Sequence, residues 1–296
     1  MIAPDQGDGR IQSRVSEGAA GNLTLRVISA AVLAPAVLVL TYAGGWIFLA
    51  VCAIAAGIIL WEWVAIVAHS GDPRILVPGW IVLAAGAALI GFERPEAAVG
   101  VMAIGAVLAG LAQGAWRDTS RPAVSAGWAV AGVAYAGIAL LGPSWLRRDP
   151  QWGLTALLFL FATVWITDIF AYLCGRAIGG PLLWPRISPK KTWSGALGGL
   201  IGGVAAGVGV AYASGIGRLG IVGVMALLLS VLAQAGDLVE SAVKRRFGAK
   251  DASHLIPGHG GLMDRLDGFL VAAIAALLIG LVRAGTAAPG RGLLVW

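Results

Sequence analysis

The chain is a succession of long apolar runs separated by short polar segments. Nine runs are about 20 residues long, the length a helix needs to cross the hydrocarbon core of a bilayer. We place them at 23–42, 46–68, 76–92, 97–116, 122–141, 152–173, 195–213, 219–236 and 267–284. Only 12% of the residues are charged, whereas a soluble domain carries about a quarter. We therefore predict an all-α, polytopic integral membrane protein with about nine transmembrane helices.

The Lys and Arg residues predict the orientation of these helices. Fifteen of them lie in the tail and in the inter-helix segments on the same side as the tail, and six lie on the other side. Because basic loops stay in the cytoplasm, the N-terminus is expected inside, with Arg147–Arg148 as the one local contradiction. Residues 1–21 are expected to form a disordered cytoplasmic tail, and 22–296 a single transmembrane domain. The net charge of +6 is spread over short loops, so no nucleic-acid partner is expected.

Glycine is abundant, with 44 residues, and it recurs at small-xxx-small spacing. The densest run lies between Gly198 and Gly209. In lipid, such spacing is typical of helices whose backbones approach closely. The pattern therefore predicts tight helix packing.

Carboxylates in or next to the apolar runs include Asp168, Asp237, Glu240, Asp264 and Asp267. An ionised carboxylate near hydrocarbon costs about 3 kcal/mol on insertion scales, so such residues pair, bind a cation or line a wet cavity. Asp264 and Asp267 are three apart and share a helix face. Together with Asp237 they predict an oxygen-rich site suited to Mg²⁺. The alternative for Glu240 is an ion pair with Lys244, four residues later.

Basic and hydroxyl residues precede the seventh apolar run. Ser188, Lys190, Lys191 and Thr192 end a loop that enters a helix, and this arrangement suits a phosphate. The alternative is a simple topological anchor, because Lys pairs at cytoplasmic helix ends are common.

A glycine-rich turn carries a histidine, at Pro257-Gly258-His259-Gly260-Gly261. Glycine lets a backbone approach a ligand closely and expose its N–H groups. His259 could donate to a phosphate oxygen or shuttle a proton. The segments 174–194 and 237–268 thus hold the equipment for phosphoryl or nucleotidyl transfer. A transporter, with its charges near the bilayer midplane, and a non-catalytic scaffold are the alternatives.

The run 241–267, SAVKRRFGAKDASHLIPGHGGLMDRLD, resembles the signature of phosphatidate cytidylyltransferases (CDP-diglyceride synthases). Every fixed position of that signature is filled, by Ser241, Lys244, Arg245, Lys250, Asp251, Pro257, His259, Gly260, Gly261, Asp264, Arg265 and Asp267. The segments 236–241 and 187–192, Asp168 with Ala171-Tyr172 and Gly175-Arg176, and Glu62-Trp63 agree more loosely. Ser194 stands where the family often carries Glu.

The resemblance implies a multi-pass enzyme of the bacterial inner membrane, a homodimer acting on CTP and phosphatidic acid in phospholipid biosynthesis. It implies a Mg²⁺ centre at Asp237, Asp264 and Asp267, with a second cation such as K⁺. Phosphate contacts would come from His259 and from the hydroxyl, basic and glycine residues of both segments: Ser188, Lys190, Lys191, Thr192, Lys244, Arg245, Gly260, Gly261 and Arg265.

Overall fold

The computed structural model describes residues 29, 31–69, 71–115, 125–256 and 260–296. Over these residues the chain is almost entirely helical. The elements, in chain order, are α1 (Ala31–Ala43), α2 (Gly45–Ala68), α3 (Pro73–Gly91), α4 (Pro95–Ala115), α5 (Ala126–Arg147), α6 (Gly153–Ile178), β1 (Leu182–Trp184), β2 (Ser188–Thr192), α7 (Trp193–Ala213), α8 (Leu219–Arg246), α9 (Met263–Ala284) and α10 (Pro289–Leu294). The tail 1–21 and the predicted span ends at 23–28, 116 and 122–124 lie outside the described residues.

Eight helices, α2 to α9, are long and apolar enough to cross a membrane. This confirms the prediction of an all-α polytopic membrane protein. The described part of α1 is a shorter apolar helix, so a ninth span stays a prediction.

Helix α8 continues ten residues beyond the predicted span end at 236, to Arg246. The apolar run ends where the charged residues begin, but the helical backbone continues through them. Lys244, Arg245 and Arg246 in the last turn are good helix formers and complement the negative end of the helix dipole. Asp237 and Glu240 therefore lie within a helix and not at its end.

Residues Ser188 to Thr192, which we expected to end a loop, instead form strand β2 of a short antiparallel hairpin with β1. Its turn is Trp184-Pro185-Arg186-Ile187, closed by a 3.1 Å hydrogen bond from the Ile187 N–H to the Trp184 carbonyl. Proline in the second position suits such a turn. The hairpin leads directly into α7.

Close packing of α7 on α6 confirms the prediction from glycine spacing. A Cβ at Gly199 would lie 2.8 Å from the Thr167 carbonyl oxygen, and one at Gly203 would lie 2.9 Å from that of Thr163. Only glycine allows the two helix backbones to come this close. The close contact gains dispersion energy, which matters because lipid provides no hydrophobic driving force for helix association.

Contacts between distant segments show that the charged loops share one end of the bundle. The hairpin contacts α8 through Lys191 and Asp237, and the end of α2 contacts the loop before α9 through Glu62 and Ser253. Trp128, at the start of α5, packs edge-on against Phe247, just after α8, with 5.0 Å between ring centroids.

The arginines that contradicted the charge bias have structural roles at the opposite end. Arg147 donates hydrogen bonds to the carbonyls of Thr41 (2.7 Å) and Tyr42 (3.0 Å), which close α1. Arg148 pairs with Glu93 at 3.4 Å. Helix C-terminal carbonyls attract cations. The contacts of Arg147 and Arg148 therefore explain why two arginines lie at this end against the charge bias.

Candidate active site

Lys244 is the central cation of the charged end. It is buried on α8, with its ammonium 2.8 Å from a Glu240 oxygen and 2.5 Å from an Asp264 oxygen. The Glu240–Lys244 pair, which the sequence offered as the alternative for Glu240, is thus present, but the same lysine also joins α8 to α9. Buried charges persist only when paired in this way.

Asp237 is the second paired carboxylate. It lies on α8, one turn before Ser241, whose hydroxyl is 3.4 Å from one carboxylate oxygen. The other oxygen contacts the Lys191 ammonium. Both side chains are about one-third exposed, 30% for Lys191 and 31% for Asp237. The pair therefore borders solvent and can exchange partners.

Asp264 has partners on both oxygens. One contacts Lys244, and the other accepts hydrogen bonds from the N–H groups of Ala252 (2.9 Å) and Gly261 (2.8 Å). These bonds fold the loop back onto the first turn of α9. Asp264 therefore organises the loop, whatever else it binds.

Asp267 lies about one turn further along α9, facing α8. Its carboxylate accepts a 2.7 Å hydrogen bond from the Gly268 N–H. Asp237, Glu240 and Asp168 are its acidic neighbours, close enough for their charges to act on it. Three helices, α6, α8 and α9, thus contribute carboxylates to one region.

No group of three His, Cys, Asp or Glu side chains in the described ranges is gathered closely enough to hold a metal ion. The set Asp237, Asp264 and Asp267 therefore stays a prediction. The donor chemistry nevertheless fits Mg²⁺, which takes carboxylate oxygens and shares substrate phosphates. One Glu240 oxygen, Oε2, contacts the Lys244 ammonium, and the other, Oε1, is buried without a hydrogen-bond partner among the described residues. That second oxygen is available to a cation.

Tyr135 of α5 reaches the same region, and sequence reasoning missed it. Its hydroxyl is buried and has no hydrogen-bond partner in the described part of the chain. Its ring packs against Trp63, with 5.4 Å between centroids, and Asp267 and Glu240 are within electrostatic range. A buried hydroxyl without a partner is costly, so this one is expected to serve a ligand.

The predicted phosphate-binding residues differ in their surroundings. Lys190 and Lys191 are consecutive on a strand and so point to opposite sides; Lys191 contacts Asp237, while Lys190 is exposed. Arg245 is exposed and donates to the Ala249 carbonyl at 3.2 Å. Arg265 is also exposed and lies in electrostatic range of Asp168.

Thr192 and Ser194 shape the start of α7. The Thr192 hydroxyl accepts a 3.1 Å hydrogen bond from the Gly195 N–H, a standard helix cap. The Ser194 hydroxyl lies 3.0 Å from that of Thr192 and donates to the Gly179 carbonyl. Ser188, at the other end of β2, is half-buried.

The glycine turn is tightly packed where it is described. Pro257, Gly258 and His259 lie outside the described residues, so the prediction for His259 stays open. A Cβ at Gly260, where φ is +82°, would lie 2.8 Å from an Asp264 oxygen. The Gly261 N–H, which we expected to be open to a ligand, is donated to Asp264.

Glu62 of α2 is the second residue that sequence reasoning left without a role. It is fully buried and accepts hydrogen bonds from the loop and from the start of α9. A glutamate inside an apolar run was the available signal.

These charges crowd one end of the bundle, which disfavours a transporter with its sites at midplane. The chain matches the model of the cytidylyltransferase family over residues 24–282. It is 43% identical over 273 residues to a phosphatidate cytidylyltransferase of Brucella suis biovar 1 (strain 1330), covering 90% of this chain and 97% of the relative.

A second relative, the phosphatidate cytidylyltransferase of Brucella abortus biovar 1 (strain 9-941), is 44% identical over 266 residues, 88% of this chain and 94% of the relative. One from Staphylococcus haemolyticus (strain JCSC1435) is 39% identical over 148 residues, 50% of this chain and 56% of the relative. Fold and site define a polytopic membrane protein with a charged centre at one end. The chain belongs to the cytidylyltransferase family, and it is a nucleotidyltransferase.

Proposed function

We propose that this protein transfers the cytidylyl group of CTP to phosphatidic acid, forming CDP-diacylglycerol and releasing pyrophosphate. The observation that carries the proposal is the cluster of paired carboxylates and lysines at one end of an apolar helix bundle. A water-soluble nucleotide and a lipid phosphate can meet only at such an end. The names of the full-length relatives, phosphatidate cytidylyltransferase, support the same substrates.

The reaction forms one P–O bond and breaks another. A phosphate oxygen of phosphatidic acid attacks the α-phosphorus of CTP, and the bond to the β-phosphate breaks, so that pyrophosphate leaves. The lipid phosphate is already anionic near pH 7, and no strong general base is needed. Catalysis then depends on positioning and charge stabilisation. Lys191, which borders solvent beside Asp237, can turn to phosphate oxygens when substrates arrive. Lys244, buried between Glu240 and Asp264, would contribute its positive charge from that position.

The proposed cofactor is Mg²⁺, held by Asp237 and Asp267 with Asp264 as the third predicted ligand. A bound divalent cation supplies positive charge to the phosphates of both substrates. Asp237 and Asp267 are the stronger candidates, because Asp264 is held by buried Lys244 and by two backbone N–H groups, whereas the Asp237–Lys191 pair borders solvent. Glu240 is available on the same face of α8, and a second cation such as K⁺ would draw on it.

The proposed setting is the bacterial inner membrane, with the site facing the cytoplasm where CTP is made. The predicted orientation, with its basic loops inside, supports this placement. A homodimer is proposed on the resemblance alone.

The test is an assay of the purified protein in detergent with phosphatidic acid, Mg²⁺ and CTP labelled in the cytosine ring. We expect label in the lipid phase only when all three are present. The Asp267→Asn variant should lose more than 99% of this activity while keeping the wild-type melting temperature within about 3 °C, since a loss of under 1 kcal/mol shifts Tm by only a few degrees. Label transfer without phosphatidic acid, or full activity in the variant, would refute the assignment.

A further inference from the structure

The N-terminus of α9 lacks a cap from its own sequence. Leu262 occupies the capping position and offers no side-chain hydrogen bond. The first N–H groups of a helix have no partner within the helix and need one from elsewhere. The partner here comes from α2, 200 residues earlier in the chain.

Glu62 supplies the missing cap. One carboxylate oxygen accepts from the Leu262 N–H at 2.9 Å and from the Ser253 hydroxyl at 2.6 Å. The other accepts from the Met263 N–H at 2.6 Å. An anion at the positive end of a helix dipole is favourable. This explains how a fully buried carboxylate persists on a membrane helix.

The fit around this carboxylate is close. A Cβ at Gly261 would lie 2.5 Å from the Glu62 oxygen and 2.9 Å from the Ala252 Cβ. Glu62 thus contacts both ends of the loop that runs from Ser253 to Leu262, and α9 begins at its carboxylate. A carboxylate in this position fixes the first turn of α9 relative to α2, both along the α9 axis and in rotation about it.

We propose that Glu62 is a positioning residue for the cytidylyl transfer. It touches none of the reacting atoms. By fixing the first turn of α9 against α2, it sets where Asp264 and Asp267 are presented to the nucleotide and to the lipid phosphate. This inference rests on the proposed function, because it assumes that those two aspartates act on the substrates.

The test compares Glu62→Gln with Ile59→Ala, a matched control. Ile59 is also fully buried on α2, one turn earlier, but it is apolar. Glutamine keeps the size of the side chain but places an N–H₂ where an oxygen accepted from α9. We expect kcat to fall about 10- to 100-fold, the cost of displacing catalytic groups by about 1 Å. The KM for CTP should stay within about threefold of the wild-type value. The Mg²⁺ concentration for half-maximal activity should rise, because the predicted Mg²⁺ ligands on α9 are misplaced.

The control variant should melt at a lower temperature than the wild type while keeping kcat within about threefold, because it removes packing and no cap. Hydrogen–deuterium exchange at Leu262 and Met263 should speed up in Glu62→Gln and not in Ile59→Ala. An unchanged kcat in Glu62→Gln, or an equal loss in Ile59→Ala, would overturn the proposal.

A milder variant protects the test against misfolding. Ser253→Ala removes one of the three hydrogen bonds to Glu62 and should lower kcat at least about twofold with a smaller fall in Tm than Glu62→Gln, because two of the three hydrogen bonds remain. Wild-type kcat in this variant, should Glu62→Gln not fold, would count against the proposal. If the wild type makes no lipid-linked cytidylate, the proposed function fails, whereas the exchange comparison still shows whether Glu62 anchors α9.

Discussion

Single residues decide the electrostatics of the charged end. Lys244 joins Glu240 and Asp264, and all three side chains are at most 10% exposed. In such surroundings a charge is stable only with its partner, and removing the partner leaves an isolated buried charge.

Replacing Lys244 by methionine should therefore destabilise the protein by about 3 kcal/mol, the cost of breaking a buried pair. Thermal unfolding in detergent measures this loss. Lys190→Met is the control, because Lys190 is exposed on the hairpin, and it should unfold like the wild type. Equal stability of the two variants would show that the Lys244 contacts contribute nothing.

Tyr135 offers a second prediction. Since its hydroxyl has no partner in the described part of the chain, Tyr135→Phe should keep or raise the Tm. If the hydroxyl serves a substrate or cation, kcat should fall by about tenfold, the worth of roughly one hydrogen bond to a charged group. A variant with lower Tm and normal kcat would show a purely structural role.

The sequence revealed the charged members of the site but not their partners. Asp237, Asp264, Asp267 and the lysines stand out because charge is rare in apolar runs. The contacts of Glu62 and Tyr135 depend on how α2 and α5 pack against α8 and α9. Spacing along one chain contains no such information, and so both roles were missed.

At the scale of elements, α7 depends on small residues facing α6. Gly203→Ala should weaken this pair, because the new Cβ would meet Thr163 and Thr167. We expect a loss of about 1–3 kcal/mol, the usual cost of overpacking. Gly209→Ala is the control on the same helix, since nothing lies within 4 Å of its Cβ position. Denaturation of both variants in detergent measures the difference.

Hydropathy predicted where the helices lie but not where they end. The span predicted at 219–236 is part of a longer helix, Leu219–Arg246, because residues with high helix propensity extend a helix beyond the apolar run. The β1–β2 hairpin has only eight strand residues, and its register depends on one proline turn. The start of α9 could not be predicted from its own segment, because the residue that caps it, Glu62, lies on α2.

At the scale of the whole molecule, the charge bias predicts which end faces the cytoplasm. In an otherwise cysteine-free chain, a membrane-impermeant maleimide should label Lys190→Cys only in inverted vesicles. It should label Arg218→Cys, exposed at the opposite end before α8, only in right-side-out vesicles. The reverse pattern would contradict the orientation and place the charged end away from CTP.

The central claim, attack of a lipid phosphate on the α-phosphorus of CTP, is tested most directly by the position of the label. Purified protein is incubated with phosphatidic acid, Mg²⁺ and CTP carrying ³²P in either the α- or the γ-phosphate. The account predicts that α-label enters the lipid phase and γ-label appears only in pyrophosphate. γ-Label in the lipid would identify a kinase and contradict the account, as would α-label that stays in water.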